Sequence, residues 1–230
     1  MKNFLLTLSL LMRPNINKDH IERLSYEALI YDKAPRGIKN SYNSSLLVRS
    51  EHQSGEFVFG SANLLDINGQ KAIITAYHVV EDGQKIYVME KNHNVVEVEL
   101  AFYDKIRDIA ILKPKSNLII TSSIKLKIDD DGLIGKEVYH CGHPSVIKFN
   151  LSRGLITSYS SEFLIIDSFS LPGSSGSLVF NEDGEAIGIV IAVAMSFSGP
   201  QPQPVDNVVL VSRLKKNDAK IFFQSILNHG

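Results

Sequence analysis

The sequence has one cysteine, Cys141, so no disulfide can form within the chain. That excludes the small scaffolds stapled by cysteine pairs, though not export as such. No apolar run is long enough to cross a bilayer as a helix. Nor is there an excess of charge: 24 Lys and Arg against 25 Asp and Glu leave a formal net charge of -1. Nucleic acid and an anionic membrane are therefore not expected partners, because the basic stripe that would attract them is missing. Internal repeats and low-complexity tracts are also lacking. What remains is a chain of 230 residues, 44% hydrophobic and 21% charged. That suffices for one large or two small domains around a real core.

Two regions precede the main body. Lys2 followed by Phe4 to Met12 has the texture of a short signal-peptide core, but Arg13-Pro14-Asn15 follows directly and no small-x-small cleavage site is visible. A targeting segment and a buried or partner-binding segment both stay open, as do cytoplasmic and exported locations. Between Asn17 and Lys33, Ile21, Leu24, Ala28 and Tyr31 recur at three- and four-residue steps, which predicts a helix. Pro35 and Gly37 are expected to end it, and residues 34–43 read as a linker. Residues 1–43 thus form a helical N-terminal extension.

From Ser44 the pattern changes to short β-type runs. Leu46 to Val48, Phe57 to Leu65, Lys71 to Thr75, Lys85 to Met89, Val95 to Phe102 and Ile109 to Leu112 make a first group. Asn68-Gly69 between two of them is a hairpin signal. Glu137 to Cys141, Arg153 to Ser158, Glu162 to Asp167, Leu178 to Phe180, Ala186 to Ala194 and Val208 to Val211 make a second. Many closely spaced strands without a helical period between them predict an all-β sandwich or barrel. Ser196 to Asn207, with Gly199 and three prolines, is expected to be a loop. Ile221, Phe222 and Ile226 form a short apolar stripe, a closing helix over about 212–228 capped by Ser212 or Asn217.

Three stretches can carry chemistry. Gly173-Ser174-Ser175-Gly176-Ser177 lies between apolar segments; such a turn can hold a hydroxyl outward and aim successive backbone N–H groups at one spot, as acyl transfer requires. Alone, a Gly/Ser cluster is usually a plain loop. His78 ends the apolar run Ile73 to Ala76, so a base there has the core behind it. Asp108 leads Ile109 to Leu112, where a partly desolvated carboxylate wants a donor such as an imidazole N–H. By contrast, His140, Cys141 and His143 do not read as a zinc site. Successive strand residues face opposite ways, and no second ligand pair has the usual spacing. Cys141 reads as a small buried apolar residue.

The order His78, Asp108, Ser175 is that of chymotrypsin-type triads. Thr75-Ala76-Tyr77-His78-Val79, Asp108-Ile109-Ala110-Ile111-Leu112 and Pro172-Gly173-Ser174-Ser175-Gly176-Ser177-Leu178-Val179 resemble the three motifs of the trypsin-like, chymotrypsin-like serine proteases. The details are most similar to the HtrA/DegP branch, whose Gly-x-Val-Ile-Gly-Ile strand is matched by Gly184 to Ile189. The resemblance covers about residues 44–230, and it implies two six-stranded antiparallel β-barrels (about 44–120 and 121–211) with a C-terminal helix. The PDZ domain common in that branch is not expected, the chain ending just after the helix.

The resemblance also implies roles. Ser175 is the expected nucleophile, His78 the general base and acid, and Asp108 the residue that orients His78. The N–H groups of Gly173 and Ser175 are the expected oxyanion hole. Phe169 falls where the floor of the specificity pocket is set, and Ile191-Ala192-Val193 where the substrate channel is lined. No carboxylate is present there, so a shallow apolar pocket for small or medium aliphatic residues is expected. Ser177 stands where the family has glycine and is strained if that position needs φ > 0. The expected partner is a polypeptide substrate, with no metal or organic cofactor; in related proteases the N-terminal segment also serves oligomerisation. The competing readings are a catalytically inactive protease-like module that only binds peptides and, more remotely, an esterase.

Overall fold

The computed structural model describes residues 34–67, 70–119, 126, 132–144, 147–196, 203–215 and 217–228. The apolar N-terminus and the helix expected over Asn17 to Lys33 lie outside them. Strands β1 (Ser45–His52), β2 (Phe57–Ile67), β3 (Gln70–Ala76), β4 (Gly83–Met89), β5 (Val95–Asp104) and β6 (Ile109–Pro114) close into one antiparallel barrel. A second is closed by β7 (Glu137–Gly142), β8 (Asn150–Tyr159), β9 (Phe163–Ser168), β10 (Leu178–Phe180), β11 (Ala186–Ser196) and β12 (Gln203–Arg213). Helix α1 (Arg36–Ser44) precedes the barrels and α2 (Asp218–Asn228) follows them. The expected architecture of two six-stranded barrels and a closing helix is the one found.

The unbroken apolar runs have a physical reason: these strands are buried on both faces. On β3, Ile73 fills the first barrel with Leu46, Val48, Leu64 and Leu112. Its neighbour Ile74 points the other way, into a seam with Ile109, Ile111, Leu178 and Phe180. Likewise Val179 of β10 fills the second barrel with Val138, Ile156, Ile166 and Val211, while Phe180 joins the seam. Phe222 and Ile226 of α2 close that seam, and the Phe222 ring lies 5.8 Å from that of Phe102. Strands β2 and β3 pair through Ile67 and Gln70, and the hairpin signal Asn68-Gly69 between them lies outside the described residues.

Two expectations are corrected. Residues 34–43 are not a linker, because α1 occupies Arg36–Ser44 with Pro35 at its N-cap. Its composition, rich in Asn, Ser and Gly, is poor for a helix. Tertiary bonds hold it instead: Asn40 Nδ2 donates to Gly184 O (2.7 Å) and Asn63 Nδ2 to Ser44 Oγ (2.6 Å). The loop expected over Ser196 to Asn207 is shorter than predicted, because β11 runs to Ser196 and pairs with Gln203 of β12. Strand β9 meets β12 only from Val208 onward, so Pro204 pairs with β11 alone, an edge position where a strand proline is tolerated.

A buried ion pair ties α2 to the first barrel. Arg107, just before β6, donates from Nη1 and Nη2 to Asp218 at 2.9 and 2.6 Å and from Nη2 to Arg213 O at 2.8 Å. Asp218 also accepts from Lys215 N at 2.7 Å, and its side chain is 3% exposed. Asp218→Asn removes the charge and one of the two parallel bonds. It is expected to cost about 2 kcal/mol, a fall of roughly 4–8 °C in Tm. Thermal unfolding followed by circular dichroism reads it, and an unchanged midpoint would show that the helix is held by its apolar face alone.

Candidate active site

Strand β3 stops at Ala76 and the chain turns through a single 3-10 turn, Tyr77–Val79. Asp108 shapes that turn from the start of β6. Its carbonyl accepts from Tyr77 N (3.1 Å), and its Oδ1 from His78 N (2.8 Å). Its Oδ2 meets His78 Nδ1 at 2.6 Å. A carboxylate is an acceptor, so the ring proton sits on Nδ1 and Nε2 keeps its lone pair. Asp108 adopts φ 55, a left-handed conformation that aspartate tolerates better than most residues. The imidazole is open to solvent while its partner is more covered, with side-chain exposures of 45% and 21%.

The turn carrying Ser175 is clamped from behind. Gly173 and Gly176 take φ 102 and 94. At Gly176 a side chain has no room: a Cβ would overlap the carbonyl oxygen of Ser61 and Oγ1 of Thr75. Ser61 of β2 holds two carbonyls of the turn, donating from N to Ser175 O and from Oγ to Gly173 O, both at 2.7 Å. Ser61 Oγ in turn accepts from His143 N at 2.9 Å. On the other side Gly176 N donates to Val190 O (2.7 Å) and Val190 N to Ser177 O (2.9 Å). The carbonyl of Ser174 is taken by Ser177 N (3.1 Å) and Ser177 Oγ (2.7 Å). In a trans peptide the N–H of Ser175 then points away from that carbonyl. Among the described residues, the N–H groups of Gly173 and Ser175 have no acceptor.

These contacts bring the three stretches together, with one gap. His78 and Asp108 are bonded directly. The Ser175 turn and the segment that carries His78 both border Gly60: a Cβ there would lie 2.7 Å from the Val79 side chain and 3.1 Å from Ser175 O. Ser175 Oγ and His78 do not hydrogen-bond to each other among the described residues. Ser177 is buried and outside the positive-φ set, so the strain expected of a serine there does not arise. Phe169 is half-exposed and shares a surface hollow with Arg153, Asp167 and Asn207. Ile191 packs against the first barrel's core, Val193 against the second's, and Ala192 is exposed. Sequence reasoning missed Ser61: a serine in a strand carries no signal that it will hold a turn more than a hundred residues away.

His140, His143 and Cys141 are buried and structural. His140 Nε2 meets Ser168 Oγ at 3.0 Å, and full burial lowers its pKa to about 4. His143 Nδ1 accepts from Phe149 N (3.2 Å) and its Nε2 meets Ser45 Oγ (3.0 Å), so its proton lies on Nε2. Burial, with lesser help from Lys148 and Lys91, lowers its pKa to about 3. The Cys141 thiol is pushed up to about 12 by burial, which leaves it a poor nucleophile.

Residues 53–189 match the family model of the trypsin-like peptidase domain. A probable periplasmic serine endoprotease, DegP-like, of Pseudomonas fulva (strain 12-X) is 30% identical over 138 residues, covering 56% of this chain and 28% of the relative. The serine endoprotease DegS of Escherichia coli (strain K12) is 26% identical over 209 residues, 86% of this chain and 58% of the relative. The chain therefore spans between a quarter and three fifths of the length of these relatives. The crystal structure of a serine endoprotease from Yersinia pestis superposes with a TM-score of 0.67 at 22% identity, covering 84% of this chain and 66% of that one. The HtrA-type protease AlgW with a tripeptide gives 0.69 at 21% identity, covering 85% and 64%. Both share the two-barrel fold, and the resemblance to the HtrA/DegP branch drawn from the motifs holds.

Proposed function

The chain belongs to the trypsin-like peptidase domain family, and from that premise we propose that it is a serine endopeptidase using Ser175, His78 and Asp108. Ser175 Oγ attacks the scissile carbonyl while His78 Nε2 takes its proton. Asp108 holds the ring by Nδ1 and stabilises the imidazolium that forms. The N–H groups of Gly173 and Ser175 receive the developing oxyanion. His78 then protonates the leaving amine, and water, deprotonated by the same Nε2, releases the acyl group from Ser175. The observation that carries this reading is the double grip of Asp108 on His78, at 2.8 Å to its backbone and 2.6 Å to its ring. Segments 168–172 and 190–193, which flank the turn, contain no charged residue. They fit an acyl-side residue of small aliphatic type.

A fluorophosphonate probe tests the proposal. One equivalent is expected to attach to Ser175, located by peptide mass mapping, with attachment lost in His78→Ala. A folded chain that never labels sinks the hydrolase. It would favour the second reading, a peptide-binding module, to which the absent Ser175–His78 bond already gives some support. Catalytic hydrogen bonds are often long without substrate and tighten on binding, which is why the enzyme stays the first reading. Val and Ala peptides are expected to be cleaved in preference to Arg and Lys peptides, and the reverse order would refute the apolar pocket.

A further inference from the structure

A groove of about 560 Å³ crosses the outer face of the first barrel. Leu46 and Val48 of β1 point into the barrel core, so Leu47 and Arg49 face outward and enter the groove. Phe59, Tyr87, Met89 and Val95 supply most of the rest of its apolar wall. Phe59 and Val95 are 53% and 57% exposed, more than a closed surface would leave two such side chains.

The charged members of the wall are all cations. The Arg49 guanidinium lies over the rings of Phe57 and Tyr87, 4.6 and 5.2 Å from their centroids, which fixes where its charge is presented. Near His143, Lys148 also lines the groove. Neither forms an ion pair among the described residues, and no Asp or Glu lines the groove. His143, which also lines it, is neutral through burial.

The groove opens beside the nucleophile turn. Phe59 and Ser61, two residues apart on β2, lie on the same outward face of the strand. His143 donates to Ser61, the residue that holds Gly173 and Ser175. Segments 168–172 and 190–193 of the second barrel are assigned to the acyl side in the reading above, which leaves this wall for the part of the substrate that departs with the amine.

We propose that the groove binds the leaving side of the polypeptide substrate and selects apolar stretches that carry an acidic side chain. The apolar wall takes the aliphatic or aromatic residues, and Arg49 and Lys148 take the carboxylate. The assignment to the leaving side rests on reading Ser175 as the nucleophile.

The test uses the full chain carrying Ser175→Ala and fluorescent peptides with amidated ends, so that only side chains bring charge. Apolar peptides with Glu after the cleavable position are expected to bind about tenfold tighter than their Lys counterparts, the difference shrinking as salt is raised. Arg49→Glu combined with Lys148→Glu is expected to invert the preference, a gain for Lys peptides that misfolding cannot mimic. Equal affinities, or a preference unmoved by the double substitution, overturn the proposal. Fluorophosphonate labelling of the unaltered chain separates the two readings. Labelling without charge preference removes only the groove. Charge preference without labelling leaves an acidic-peptide site but removes its leaving-side assignment.

Discussion

Asp108→Asn is expected to lower kcat by about 10⁴ while the chain stays folded. The carboxylate makes two bonds to one residue, to the backbone N–H and the ring Nδ1 of His78. Asparagine can keep the first through its amide oxygen. It then turns an NH₂ toward Nδ1, so the ring must accept there and carry its proton on Nε2. That tautomer cannot take the proton of Ser175. Asparagine is the right substitution because position 108 has φ 55, a region it shares with aspartate, whereas alanine would add backbone strain. The measurement is kcat on a peptide substrate beside a thermal melt. If activity stays within about tenfold with the fold intact, Asp108 does not set the tautomer, and the double grip is only a device for shaping the 3-10 turn.

The parts of this arrangement differ in how legible they are in the sequence, for physical reasons. Strands buried on both faces announce themselves as unbroken apolar runs, as Ile73-Ile74 does by feeding two cores at once. The motifs around His78, Asp108 and Ser175 are visible because the acyl transfer proposed for them restricts residue type at each. Helix α1 is not visible: its Asn and Ser side chains favour turns, and only bonds to Gly184 and Asn63, remote in the chain, decide for a helix. The start of β12 is hidden for the opposite reason, since Pro204 argues against a strand unless one knows that β9 ends short of it. Ser61 and His143 share this fate, Ser61 through its bonds to a turn that the sequence places far away and His143 through its bond to Ser61. Local propensity and spacing report what neighbours in the chain impose, and a clamp between two barrels is imposed by neither.

That clamp underlies the second large effect, expected of Gly176→Ala. The backbone there has φ 94, where a Cβ is strained, and the new methyl would overlap Ser61 O and Thr75 Oγ1. Neither obstacle is the loose end of a flexible side chain. The Ser61 carbonyl belongs to the β2 backbone and accepts from Thr75 Oγ1 at 2.7 Å, so it cannot swing aside. The turn itself must lift, breaking the bonds from Gly176 N to Val190 O and from Ser61 N to Ser175 O. Left-handed strain of ~1–2 kcal/mol adds to an overpacking cost of ~1–3 kcal/mol. A displaced turn also misplaces the N–H groups of Gly173 and Ser175, and loss of one such donor costs about 10²–10³ in rate. The expected outcome is a fall in kcat of at least about 10², larger than the loss of stability would produce in a chain that is still folded at the assay temperature. Ser61→Ala is the graded counterpart: it removes the bond to Gly173 O, leaves the backbone bond to Ser175 O, and is expected to lower kcat less than Gly176→Ala does. If both variants retain full kcat while melting earlier, the turn is held for stability only, and the donors on it are not where the oxyanion forms.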